Sequence, residues 1–140
     1  MAEALYFEDV VVGASVDTPA RTLTETDFLQ YVSVAGDSAT RVADVSDRVM
    51  PDLLPLCASS GLTWRIPQRP LSILAFMGFE WQFFKPVRIG DTVRCRLRSL
   101  AKRKTKEGGV VIQEHTMINQ RDEVVQRGKV TLLVGSRPTV

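Results

Sequence analysis

Met50-Pro51-Asp52-Leu53-Leu54-Pro55-Leu56-Cys57-Ala58-Ser59-Ser60-Gly61-Leu62-Thr63-Trp64 decides how the rest of this chain is read. Pro51 and Asp52 suit a first helical turn, where amide groups lack partners and the helix dipole favours negative charge. Behind them Leu53, Leu54, Leu56, Cys57, Ala58, Gly61, Leu62 and Trp64 make the helix apolar on most of its circumference. A helix without a broad polar face is expected to be buried in the middle of the molecule.

Downstream of that helix the sequence reads as strand after strand. Ile73, Ala75, Met77, Phe79, Trp81 and Phe83 alternate with Leu74, Phe76, Gly78, Glu80, Gln82 and Phe84, so one face is continuously apolar and the other mixed. Lys85-Pro86-Val87-Arg88-Ile89-Gly90-Asp91 is a turn-rich connection, after which Val93, Cys95 and Leu97 alternate with Arg94, Arg96 and Arg98. The pattern predicts a charged hairpin over Lys102 to Gly109 and a strand from Val110 to Ile118. A tight turn at Asn119-Gln120-Arg121-Asp122 and a last strand from Glu123 to Val134 follow. Upstream, Tyr6 to Gly13 is an entry segment and Ser15 to Thr22 a strand. Thr24 caps a short amphipathic helix with Asp27 at N3 and Phe28, Tyr31, Val32 and Ala35 at helical spacing, ending at Gly36. Ser38 to Val49 has no period and reads as an irregular connection. One strand, a helix, a buried helix and an antiparallel meander of four strands predict an α+β domain whose sheet wraps the central helix on one side.

Composition sets the outer bounds. The chain has 140 residues, 44% hydrophobic and 24% charged, the balance of one globular domain spanning 1–140. A net charge of +2 gives no argument for nucleic acid. The start, Met1-Ala2-Glu3-Ala4-Leu5, lacks a signal-peptide pattern, and no long apolar run points to a membrane, so a cytoplasmic protein is expected. Cys57 and Cys95 have no metal or redox spacing and are read as buried packing residues; neither a metal nor a cofactor is called for.

Several segments, in order, resemble the MaoC-type enoyl-thioester hydratases. They are Tyr6-Phe7-Glu8-Asp9 with Gly13, the Thr24 to Asp27 helix start, Gly36-Asp37, Ser60-Gly61-Leu62, Phe84-Lys85-Pro86-Val87 with Gly90-Asp91-Thr92-Val93, and Asn119-Gln120-Arg121 with Glu123-Val124-Val125. The resemblance covers nearly the whole chain. It implies a single hotdog domain whose protomers join sheets, with an acyl-CoA or acyl-ACP thioester bound at the dimer interface. The reaction it implies is reversible addition of water to a trans-2-enoyl thioester, by general acid/base catalysis and an oxyanion site at a helix start.

Carried over residue by residue, the family pattern Gly-Asp-x-Asn-Pro-x-His meets Gly36-Asp37-Ser38-Ala39-Thr40-Arg41-Val42. Asp37 matches the water-activating aspartate, whereas Val42 stands where the family has its histidine. Met50-Pro51-Asp52 stands where relatives often have Ala-His-Gly, leaving the backbone amide of Asp52 as the candidate oxyanion donor. Its carboxylate there opposes a developing negative charge. Arg41 is placed to pair with Asp37, and Arg41, Val42, Pro51, Phe79 and Trp81 are candidate substrate contacts. Large apolar residues such as Phe76, Phe79, Trp81 and Phe83 either bound an acyl tunnel or form core. The lone imidazole, His115, shares a strand face with Val111, Gln113, Met117 and Asn119 and reads as a surface or dimer-contact residue. Arg94, Arg96, Arg98, Lys102, Arg103, Lys104 and Lys106 form either a solvated strand edge or a docking surface for coenzyme A phosphates or an acidic carrier. Three functions stay open: a hydratase with a degenerate Asp/His dyad, a catalytically silent hotdog subunit of a homodimer or heterodimer that binds an acyl thioester or stabilises a histidine-bearing partner, and an acyl-CoA thioesterase using Asp37 or Asp52.

Overall fold

The computed structural model describes residues 3–36 and 49–139. After a 3-10 turn at Phe7–Asp9 the elements are β1 (Ser15–Asp17), β2 (Arg21–Thr22), α1 (Glu25–Ala35), α2 (Leu53–Leu62), β3 (Ile73–Phe83), β4 (Thr92–Thr105), β5 (Gly108–Ile118) and β6 (Val124–Val134). They form one antiparallel sheet ordered β1-β4-β5-β6-β3, with β2 also on β4.

Local chemistry sets the element ends. The Thr24 Oγ1 accepts from the Asp27 amide at 3.2 Å while an Asp27 carboxylate oxygen accepts from the Thr24 amide at 2.9 Å, a reciprocal capping box. At its other end α1 stops on Gly36 with φ 64°, a left-handed cap that suits glycine. In α2, Pro55 lies in the first turn, where its missing N–H costs no helical bond.

Three expectations about the strands change. The single strand expected over Ser15 to Thr22 is two strands broken at Thr18-Pro19-Ala20, because Pro19 has no amide to give the ladder. Thr18 spans the break: its buried hydroxyl accepts from the Cys95 amide at 2.9 Å and donates to the Pro19 carbonyl at 2.9 Å. The charged hairpin shrinks to a turn at Lys106-Glu107, since β4 continues to Thr105. Strand pairing persists there because the Lys102 and Lys104 ammoniums lie 4.9 and 5.5 Å from the Phe7 ring centroid, their stems covering it.

The third change concerns order in the sheet. Only β4, β5 and β6 form a meander, while β3 pairs with β6 at the far edge, with Phe79 opposite Val130 and Trp81 opposite Gly128. The connection from β3 therefore crosses one end of the sheet to reach β4. It is anchored on the way by Val87, which is buried and whose carbonyl accepts from the Met50 amide at 2.7 Å.

Both helices cover one face of this sheet. Leu23, Phe28, Met50, Leu54, Val87, Val93, Met117 and Val125 form the core beneath them, and Phe7, Val10, Val111, Val130, Leu132 and Val134 form a second cluster towards the other end. The opposite face carries a transverse row of alternating charge, Arg98, Glu114, Lys129 and Glu80, each opposite the next. A one-sided sheet wrapped on an apolar helix is the α+β hotdog arrangement. The helix itself is not enclosed as expected: Leu54, Pro55, Ser59 and Leu62 are buried, but Leu53 and Trp64 are exposed, and so is Cys57. Cys95 is buried as expected, and desolvation pushes its thiol up to about 12.

Candidate functional site

A cavity of about 600 Å³ lies between α2 and the helix-facing side of the sheet. Helix α2 contributes Leu56, Cys57, Ser59 and Ser60, the edge strand β3 contributes Phe76, Phe79 and Trp81, and the floor carries Gln113 and His115 of β5. Two bulges in β3, after Ile73 and after Phe76, keep Ile73, Phe76, Phe79 and Trp81 on this one wall. Phe76 and Phe79 are not core, at 60% and 53% exposed, whereas Trp81 is half-buried and packs against the second cluster. Both tryptophans of the chain, Trp64 and Trp81, line the cavity.

His115 departs from its sequence reading as a surface or contact residue. It is 8% exposed, because β5 alternates and the face that holds His115 also holds the buried Val111 and Met117. Its Nε2 lies 3.2 Å from Gln113 Oε1, and the Trp81 ring meets it edge-on with centroids 6.2 Å apart. Desolvation pushes its pKa down to about 4, so the ring is neutral near pH 7 and Nε2–H donates to the Gln113 carbonyl. Such an imidazole is a weak base, suited to hydrogen bonding more than to proton transfer. The hydroxyls of α2 are partly committed: Ser59 Oγ donates to the Leu56 carbonyl at 2.7 Å and Thr63 Oγ1 to the Ser60 carbonyl at 2.8 Å.

A second polar chain joins the cavity wall to the start of α2. Trp81 Nε1 donates to Gln126 Oε1 at 2.9 Å, and Gln126 Nε2 donates to the Asp52 carbonyl at 3.0 Å. Gln126 is 2% exposed, so this tie is inside the protein. Asp52 occupies the N-cap of α2 with helical dihedrals and an exposed side chain, and Pro51 is buried beside it with its carbonyl accepting from the Leu54 amide at 3.0 Å. Of the candidate contacts, Phe79 and Trp81 stand on the cavity wall and Pro51 does not; Asp52, the candidate oxyanion donor, is also off the wall and is tied to it through Gln126 and Trp81. Asp37, Arg41 and Val42 lie outside the described residues.

Much of the basic strand is engaged internally. Arg94 pairs with Asp122 at 3.0 Å, Arg96 with Asp17 at 2.7 Å, and Lys102 and Lys104 lie over Phe7. Among the described residues no group of His, Cys, Asp and Glu could hold a metal ion, and no helix is long and apolar enough to cross a membrane.

Sequence reasoning missed Gln113, Gln126 and the role of His115 as a floor residue. A signal existed for His115, whose strand neighbours at two-residue spacing, Val111 and Gln113 on one side and Met117 on the other, are mostly apolar. None existed for Gln126, a polar residue whose only distinction is where the fold puts it.

Known proteins agree with this geometry. The family described as FAS1-like, dehydratase domain region, matches residues 6–127. Protein MaoC of Klebsiella aerogenes is 35% identical over 71% of this chain, which spans 31% of that protein. The structure of a monoamine oxidase regulatory protein from Archaeoglobus fulgidus superposes with a TM-score of 0.86 at 26% identity, covering 96% of this chain and 97% of that one. A Mycobacterium tuberculosis protein described as a double hotdog superposes at 0.82 and 18% identity, over 98% of this chain and 46% of its own, a likeness of fold alone. Matched along most of its length and built as a one-sided sheet around an apolar helix, the chain belongs to the FAS1-like dehydratase-region family of MaoC-like hotdog proteins.

Proposed function

We propose that this chain acts in reversible hydration of an enoyl thioester of coenzyme A or acyl carrier protein, as one half of a cytoplasmic hotdog dimer. The observation that carries this reading is the cavity between α2 and the sheet, apolar on its walls and of a size that holds small-molecule ligands. In this reading the acyl group occupies the cavity, Asp37 holds and polarises the attacking water, and amide groups at the start of α2 receive the developing enolate charge. The tie from Gln126 to the Asp52 carbonyl supports that last role, because it fixes the helix start against the cavity wall. The dimer forms through β3, an edge strand among the described residues, whose exposed Leu74, Phe76, Met77, Phe79 and Phe83 offer apolar surface.

A second reading is favoured by one specific pair of observations. Val42 cannot transfer a proton, and the chain's lone histidine is buried, neutral and bonded to Gln113. On that reading this subunit binds the acyl group while a histidine-bearing hotdog partner completes the dyad. Loss of enoyl absorbance from crotonyl-CoA, with and without such a partner, separates the two, and release of free thiol marks a thioesterase instead. For the first reading, Asp37→Asn lowers turnover by about two or more orders of magnitude without loss of fold. No hydration in either setting removes the proposed reaction.

A further inference from the structure

The floor of the cavity is more polar than its walls require. His115 and Gln113 bond to each other, which uses one N–H and one acceptor position; the Gln113 amide NH2 and His115 Nδ1 stand outside that bond. A purely hydrocarbon occupant would cover these groups without meeting them, at a cost of about 1–3 kcal/mol for each buried polar group left unsatisfied. Among the described residues that line the cavity, none is a lysine, arginine, aspartate or glutamate.

We propose that the cavity selects acyl groups that carry a hydroxyl or carbonyl within the chain, with Gln113 and His115 as the specificity-determining pair that hydrogen-bonds it. The hydroxyl or carbonyl oxygen accepts from the Gln113 amide, and a hydroxyl also donates to His115 Nδ1. Apolar stretches on either side of that group pack against Phe79, Trp81, Leu97 and Val130. This rests on the reading of the cavity as an acyl site, but not on the chain's being catalytically complete.

The test uses the two cavity tryptophans as reporters. The neutral probes are the N-acetylcysteamine thioesters of decanoic acid and of its 5-, 7- and 9-hydroxy and 5-, 7- and 9-oxo derivatives. Titrating the intact protein, at least one oxygenated probe is expected to bind fivefold or more tightly than the decanoyl probe. In Gln113→Leu and His115→Phe that preference falls to within twofold, while decanoyl binding persists or strengthens. Because the chain has one histidine, its ring ¹⁵N resonances are read without ambiguity in the wild-type protein. They shift with the preferred probe and stay with the decanoyl probe, which covers the case in which a variant does not fold. Equal or weaker binding of every oxygenated probe overturns the proposal, as does binding of none. If decenoyl thioester is hydrated and no preference exists, the inference falls and the proposed reaction stands. If the preference exists and no thioester is hydrated alone or with a partner, the reaction falls and the inference stands.

Discussion

At the scale of single residues, His115 is the group whose environment differs most from its sequence appearance. Its folded pKa of about 4 lies below the ordinary value of 6.5, because a charged ring there is poorly solvated. The unfolded chain therefore binds a proton below pH 6.5 that the folded chain refuses until about pH 4. Stability from this group is full above the unfolded pKa and is lost as pH falls through that window, by on the order of 3 kcal/mol. Urea melts at pH 7 and at pH 4.5 check this: the wild type loses stability across the interval, and His115→Gln loses markedly less. Equal losses in both proteins would place the titration elsewhere. Glu123 does not confuse the result, because Lys85, Arg121 and Asn119 hold its carboxyl down at about 2, so its contribution is lost as pH falls from the ordinary glutamate range towards that value. The resemblance at Asp37 and Val42 to a half-kept family motif could be noticed in the sequence because that motif's spacing is local. Gln113 and Gln126 were not legible there, and of His115 only the burial could be read, because what makes them matter is a meeting of strands and helix distant along the chain.

At the scale of elements, periodicity served well where one strand or helix answers to its own side chains. The capping box of α1, the alternation of β5 and β6 and the turn at Asn119 are all read from residues within a few positions of each other. It failed where partners are remote: nothing in Ile73 to Phe83 says that the strand pairs with β6 instead of β4. The contact that settles that pairing is unusually close. At Gly128 an added Cβ would meet the Glu80 carbonyl oxygen at 2.1 Å and the Trp81 ring at 2.3 Å. Gly128→Ala is therefore expected to destabilise the protein by about 1–3 kcal/mol and to disturb Trp81 fluorescence, as β3 is pushed from β6. Gly61 of α2 has open space around its Cβ position, so Gly61→Ala is expected to be neutral or stabilising by up to about 1 kcal/mol. Similar melting curves for both variants would refute this account of the edge.

For the whole molecule, the half-exposed central helix and the aromatic edge strand belong together. A chain that stood alone would leave Leu53, Trp64, Leu74, Phe76, Met77 and Phe79 against water. Sedimentation at micromolar concentration is expected to give a dimer, and charges at Leu74→Lys with Met77→Lys, neither of which lines the cavity, are expected to give a monomer of 15.6 kDa. A wild-type monomer would count against the interface. The expectation that the helix is buried in the middle of the molecule is met only in part, since an apolar composition does not say which of its residues the fold covers. The crossing that carries the chain from β3 to β4 also sets a schedule. During synthesis the most aromatic strand leaves the ribosome long before β6, its partner in the sheet among the described residues, and at roughly 5–20 residues per second it waits seconds for it. The stickiest moment in the life of this protein thus precedes its native state, and chaperones that hold nascent chains would have their work between the birth of β3 and the arrival of β6.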